Sequence, residues 1–297
     1  MDVREIEAKS ILNRCGIPGI DFVVNPYIGC RFACKYCYAS FMGRFVGKTV
    51  ADWGAYVYAK VNAPELLRAE LSKKVKNKGI GKEIFFSSVT DPYQGMEAKY
   101  RLTRACLKEL LEFGFVGLVS ILTKSDLVLR DVDLFKKLPR VSVGLTVTST
   151  DDGVSRFFET YAPPSSRRIA ALAALNKEGI STYAFIGPLL PHFVAREDAL
   201  DRLMAAIADS GARDIFVEHL NLSSYIRNRL MEEMKGEERT IVEKFYSSQS
   251  KEYRDELDVL VKSLLKKNGL RLILNQTIYH KEFRGQIDAA PASASFT

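Results

Sequence analysis

Six times along this chain a short apolar run with β-branched or aromatic residues gives way to a polar turn. The runs are residues 20–24, 83–89, 116–122, 140–147, 180–186 and 214–218. Between them lie stretches with helical spacing, at residues 64–79, 103–112, 131–138, 167–178 and 196–210. Pro64 marks the first helix start, and Gly114, Gly179 and Gly211 stand at helix ends. Strand and helix in alternation argue for a parallel sheet covered by helices on its outer side. The pattern suits an open or partial barrel of six βα units. Periodicity does not separate that from a doubly wound sheet. At 297 residues, 47% of them hydrophobic, the chain has enough apolar surface for one undivided barrel-sized unit.

The remaining stretches read less regularly. Residues 1–19 suggest a short helix and a Gly-Ile-Pro-Gly turn, 41–62 the remainder of a long loop with or without a little helix, and 151–166 a polar loop. Residues 223–268 are helical in pattern, with a break expected at 247–250, and 271–274 form a candidate edge strand. The division expected is residues 1–222 for the barrel and its lead-in, and 223–297 for a helical extension packed on it. The small, polar tail from Ala289 has no expected core role.

One loop carries the chemistry. Residues 25–45 hold three of the five cysteines, Cys30, Cys34 and Cys37, spaced C-x-x-x-C-x-x-C after Gly29. Thiolates so close in sequence can face one centre. A [4Fe–4S] cluster is held by cysteine thiolates and usually takes four. Three from the loop would leave one iron open. A structural zinc needs a fourth ligand, and His192, His219 and His280 are all distant in sequence. A disulfide would leave an odd thiol. Cys15 reads as a loop thiol, and Cys106 as packing on the apolar face of a helix.

Composition narrows the setting. No run of about 18 uncharged apolar residues occurs, so no membrane span is expected. The first residues lack an apolar h-region, so no signal peptide is expected. Clustered cysteines in a chain with so few argue for a reducing cytoplasmic setting. The net charge of +7 favours a polyanionic partner as well as ordinary solubility. The oligomeric state is not encoded in any pattern found.

The stretch Asn25-Pro-Tyr-Ile-Gly-Cys-Arg-Phe-Ala-Cys-Lys-Tyr-Cys-Tyr-Ala resembles the radical S-adenosyl-L-methionine (SAM) superfamily, and within it the spore photoproduct lyase-like (DNA repair photolyase-like) branch. The likeness continues through Thr90-Asp-Pro-Tyr-Gln, Thr123-Lys-Ser, Glu159-Thr-Tyr-Ala-Pro with Arg167-Arg168, and less fully 218–222. It implies a partial (β/α)6 barrel, a [4Fe–4S] cluster on Cys30, Cys34 and Cys37, and SAM chelated at the open iron. An electron from a flavodoxin- or ferredoxin-type donor would then cleave SAM to a 5′-deoxyadenosyl radical that abstracts a substrate hydrogen. The resemblance also implies that Tyr36 lies near the adenine. It directs Ser87, Ser88 and Thr90 to the methionine amino group and Lys124 to the carboxylate. Thr148 and Ser149 fall to the ribose, and Ile186 and Gly187 to the adenine wall. The lyase returns a hydrogen atom from a cysteine just past the second strand. Residues 87–91 contain none, so thymine-dimer repair by that route does not follow.

A nucleic acid or nucleotide is the favoured substrate, with Arg156, Arg167 and Arg168 as phosphate contacts and Tyr93, Tyr100 and Tyr161 as stacking rings. The rivals are a radical SAM enzyme acting on a peptide or small metabolite, and a non-catalytic iron–sulfur or zinc binding module.

Overall fold

A computed structural model describes residues 1–280. Six parallel strands carry the fold. The strands in chain order are β1 (Asp2–Ile6), β2 (Leu12–Arg14), β3 (Phe22–Val24), β4 (Tyr27–Ile28), β5 (Tyr56–Lys60) and β6 (Glu83–Phe86). They continue with β7 (Leu118–Thr123), β8 (Val141–Thr146), β9 (Thr182–Leu189), β10 (Asp214–His219) and β11 (Arg271–Leu272). The large sheet runs β11-β10-β9-β8-β7-β6-β3-β2. Its neighbours are parallel except β2, which pairs antiparallel with β3. The six expected strands are therefore β3 and β6 to β10 in order, and β11 is the expected edge strand.

The pleat sorts the two faces. Val24, Ile84, Phe86, Val119, Ile121, Val143, Leu145, Ala184, Ile186, Ile215 and Val217 share one core with the helices, among them Leu172 and Leu203. Burying such side chains stabilises by about 1.5–3 kcal/mol each. The opposite face lines the barrel interior and holds bulky and polar groups. Tyr183 crosses it to donate a hydrogen bond to the Ile121 carbonyl at 3.0 Å. Gly144 admits that ring, because a Cβ there would lie 2.2 Å from it.

Two expectations fail at the N-terminal side, and a third at residues 151–166. The short helix expected in 1–19 is instead β1 and β2. The loop expected over 41–62 contains β5, and β1, β5 and β4 form a separate three-stranded sheet. Long-range pairing, parallel from Asp2↔Tyr56 to Ile6↔Lys60, decides what local propensity could not. Residues 151–166 hold a helix, Asp152–Phe158, capped by the Asp151 carboxylate accepting from Gly153 and Val154 amides.

Helix Leu102–Phe113 begins one residue before Thr103, whose hydroxyl donates to the Pro92 carbonyl; the Glu97 carboxylate accepts its amide. The C-terminal helical pattern resolves into Ser224–Glu233, Arg239–Ser247 and Lys251–Asn268, with Ser250 capping the last. Cys106 is fully buried in the core, as expected. The tail from Ala289 lies outside the described residues. Among the described residues no helix is long and apolar enough to cross a membrane.

Candidate active site

The cysteine loop leaves the C-terminal end of β3, passes through β4, and crosses the mouth of the sheet. Gly29 makes the crossing possible. Its φ is +84°, and a Cβ would lie 2.5 Å from the Tyr56 carbonyl oxygen. Gly54 supports the loop from beneath, where a Cβ would come within 2.3 Å of that of Ala33. Cys30 and Cys34 are buried, Cys37 is half-buried, and all three thiols are free. Burial, with the other sulfurs close by, pushes Cys30 and Cys34 up, Cys34 to about 12. Burial also raises Cys37.

One side of the loop is held by neutral hydrogen bonds from the Thr90–Gln94 segment after β6. Thr90 Oγ1 donates to the Gly29 carbonyl at 2.6 Å, and Gln94 Nε2 donates to the same oxygen at 3.0 Å. Gln94 Oε1 accepts the Arg31 amide at 2.8 Å. Asp91 ties this segment to β7. Its carboxylate accepts from the Tyr93 amide, the Thr123 hydroxyl and the Lys124 amide at 2.9, 2.6 and 2.8 Å. Burial raises the Asp91 carboxyl, and these three donors only partly offset it.

The other side is charged. Glu159 and Arg168 form an ion pair with both side chains fully buried. The Glu159 carboxylate also accepts from Tyr36 Oη and from Thr148 Oγ1, and Lys124 Nζ stands 3.9 Å away. Burial alone would raise this carboxyl, but Arg168 and Lys124 outweigh it and hold it below the usual range. Burial works against the Lys124 charge, and Cys34 and Glu159 more than reverse that, so its amine sits above its ordinary value. Lys124 also lies over the Tyr36 ring, 5.7 Å from its centroid.

The helical C-terminal segment closes on the loop. Tyr225 Oη donates to the Tyr38 carbonyl at 2.9 Å, and Glu233 pairs with Lys35 at 3.2 Å. Arg229 Nη2 reaches the Ala33 carbonyl at 3.4 Å. His280 meets Glu218 at 2.8 Å at the end of β10, and that pairing raises the imidazole.

The residues expected around the cofactor separate into three kinds. Tyr36, Lys124 and Thr148 converge on Glu159, which lay inside a motif quoted from the sequence but was assigned no role. Ser87, at φ +68°, has a buried hydroxyl without a hydrogen-bond partner, at the mouth end of β6. Ser88 is half-buried and its carbonyl accepts from Tyr38. The remaining assignments shift. The Thr90 hydroxyl is engaged by Gly29 and Gln94. Ser149 Oγ accepts the Asp151 amide at 3.0 Å. Ile186 is fully buried on the helix-facing side of the pleat, so its side chain cannot form an adenine wall. Phe185 and Gly187 occupy the interior face, where a Cβ on Gly187 would lie 2.8 Å from that of Glu218.

Two of the expected surface contacts also fail. Arg168 is locked against Glu159 and meets no solvent, whereas Arg167 stays exposed in a pair with Asp126. Tyr93 is fully buried, donating to Asp131 at 3.0 Å, so it offers no stacking face. Tyr161 is 53% exposed with the Arg31 guanidinium 3.5 Å above its ring.

The donor set suits a multi-iron group. Among the described residues no three His, Cys, Asp or Glu side chains converge as a single metal ion would require. A cubane places each thiolate on its own iron and needs no such convergence.

A sequence model described as Radical SAM superfamily matches residues 24–204. An uncharacterised protein of Methanocaldococcus jannaschii is 42% identical over 194 residues, 65% of this chain and 70% of that protein. A radical SAM Nalpha-GlyT isomerase of Pseudomonas phage M6 is 26% identical over 202 residues, 66% of this chain and 39% of the isomerase. Among solved structures, a spore photoproduct lyase variant with bound AdoMet and dinucleoside spore photoproduct aligns with TM-score 0.64 at 15% identity. That alignment covers 91% of this chain and 81% of the lyase, and it shows the shared fold. With the family match spanning more than half its length, the chain belongs to the radical SAM superfamily of enzymes.

Proposed function

We propose that this enzyme holds a [4Fe–4S] cluster on Cys30, Cys34 and Cys37, binds SAM beside it, and abstracts a hydrogen atom from a nucleic acid or nucleotide. The observation that carries the reading is the loop itself. Three free thiols stand on one short loop that leaves the C-terminal end of β3 in a parallel sheet, where such folds place chemistry. When bound, the cluster supplies one electron that splits SAM into methionine and a 5′-deoxyadenosyl radical. The chain's own residues bind and orient. Lys124, held charged by its surroundings, offers a cation for the SAM carboxylate. The unpartnered Ser87 hydroxyl is available to the methionine amino group. Tyr36, fixed by Glu159, supplies a ring edge next to Cys37, and Phe185 with Gly187 supplies the apolar wall.

Residues 1–222 would carry this chemistry, with the following helical segment buttressing the loop through Tyr225, Arg229 and Glu233. A nucleotide-type substrate draws support from three directions. The lyase of the same fold holds a dinucleoside, the sequence likeness is to that branch, and the net charge is +7. The test is anaerobic reconstitution with iron, sulfide, dithionite and SAM, followed by assay for 5′-deoxyadenosine. Wild-type protein should form it and Cys34→Ala should not. Product at the wild-type rate from Cys34→Ala would overturn the assignment.

A further inference from the structure

The loops after β8 and β9, with the helices that follow them, form a half-open cavity of about 160 Å3 at the same end of the sheet as the cysteine loop. Ser149, Thr150, His192, Phe193, Arg196 and Arg202 line it. Its arginines are held only by an exposed partner. Arg196 and Arg202 share one carboxylate, Asp198, at 3.3 and 3.2 Å, and all three side chains are about half exposed. Ion pairs of that kind are worth little and exchange readily for a better partner. Lys244 Nζ lies 3.2 Å from His192 Nδ1. The ammonium must donate there, which leaves the proton of a neutral His192 on Nε2, free to donate again.

The other acid on the lining, Asp151, has one oxygen already capping the Gly153 and Val154 amides at 2.7 and 3.3 Å. Glu237 and Glu238 also face His192, and they act on it more weakly than Lys244 and Arg196 do. Burial first, and those two cations next, hold the imidazole below its usual value, as expected in a positive field. The floor is apolar. Phe193 stands edge-on to His192 at 5.0 Å and to Phe158 at 5.3 Å. The Phe158 carbonyl accepts the Lys35 amide of the cysteine loop at 2.8 Å. Cavity and loop therefore share a wall.

We propose that this cavity is a phosphate subsite, in which Arg196, Arg202 and His192, the imidazole backed by Lys244, bind a phosphate of the nucleotide or oligonucleotide presented at the mouth. Two guanidinium forks, an imidazole N–H and the Thr150 hydroxyl match the acceptor oxygens of a phosphate, and a bidentate arginine contact is the strong form of that bond. The proposal rests on the nucleotide reading above and replaces Arg168, which the fold withdraws from any phosphate. It also gives Ser149 and Thr150 a setting different from the ribose contact first expected of Ser149.

The test uses reconstituted holoenzyme kept anaerobic and a fluorescein-labelled 12-nucleotide single-stranded DNA, titrated by anisotropy across a salt series. The double variant Arg196→Ala/Arg202→Ala should bind at least ten-fold more weakly. Its slope of log affinity against log salt should be shallower by about 0.7 to 1, the loss of one phosphate contact on a single strand. Arg213→Ala/Arg271→Ala removes the same charge near the opposite end of β10, where Arg271 pairs with Asp214, and should stay within two-fold of wild type. Thymidine 5′-monophosphate competing where thymidine does not would assign the site to a terminal phosphate. Competition by neither would assign it to the backbone, and either upholds the subsite. Wild-type affinity in the cavity variant, equal losses in both variants, or no binding of the strand or the mononucleotide by wild type would overturn it. Formation of 5′-deoxyadenosine without substrate is read separately. Its absence in wild type would sink the radical reading and leave the binding result standing.

Discussion

Two buried carboxylates flank the cysteine loop, and the protein treats their charges in opposite ways. Asp91, beside Cys30, is surrounded by two amides and a hydroxyl, and burial lifts its carboxyl above the ordinary 3.8. Glu159, beside Cys34, faces Arg168 and Lys124, and its carboxyl falls below the ordinary 4.5. Asp91 joins the ends of β6 and β7 through neutral donors and so fixes where the loop sits. Glu159 gathers Tyr36, Thr148, Arg168 and Lys124 and so fixes which charges face the loop. Position and charge are thus set from two sides by separate groups.

The largest effect should come from breaking the charged side. Glu159→Gln leaves Arg168 buried without its counter-charge, a loss of about 3–5 kcal/mol in unfolding free energy. Denaturant melts of wild type, Glu159→Gln, Arg168→Met and the double variant would measure the pair. The double variant should recover a large part of the loss, because no charge is then left unpaired. Equal instability of single and double variants would show that the pair contributes packing only.

Replacing Asp91 by Asn should cost less, about 1–3 kcal/mol, because one acceptor oxygen becomes an NH2 facing the Lys124 amide. The pH dependence separates the two sites by sign. Glu159 is depressed in the fold, so its contribution is complete above 4.5 and is lost as pH falls through the folded value. The cost of Glu159→Gln should therefore shrink on acidification. Asp91 is raised in the fold, so its contribution is complete below 3.8 and is lost as pH rises through the folded value. The cost of Asp91→Asn should grow on acidification. Stability curves from pH 3 to pH 7 check both, and slopes of the same sign would end the contrast.

The two sides were not equally legible in the sequence. Thr90, Asp91 and Gln94 fall within five residues directly after a strand, so one motif held the neutral clamp together, although it directed Thr90 to the methionine amino group and gave Asp91 and Gln94 no role. Tyr36, Lys124, Thr148, Glu159 and Arg168 come from five separate segments, and only the closure of the sheet brings them together. That is why Arg168 read as a phosphate contact and Glu159 was given no role. The six parallel strands were legible for a related reason. Each is a short run rich in apolar residues, most of them buried, a signal internal to the segment. The sheet of β1, β4 and β5 gave no such signal, since its five-, two- and five-residue strands owe their existence to one another. The helix-facing Ile186 was missed because assigning it to one face needs the register of β9 against β10, Val217 opposite Ile186.

The smallest effect tests whether the neutral clamp acts on the loop or only on the fold. Thr90→Val keeps the shape and removes one donor from the Gly29 carbonyl, which retains the bond from Gln94 Nε2, and also the acceptor of a second Gln94 Nε2 bond. Stability should fall by about 1–2 kcal/mol, the net worth of two such bonds. Gln94→Ala removes that second donor and also the acceptor of the Arg31 amide, so it should cost more. If these bonds set the position of the thiols, iron retained per chain after desalting should fall in the same order, wild type, Thr90→Val, Gln94→Ala. Equal iron content across the three, with stability still declining, would confine the clamp to folding and leave the placement of the thiols to Gly29, Gly54 and the backbone alone.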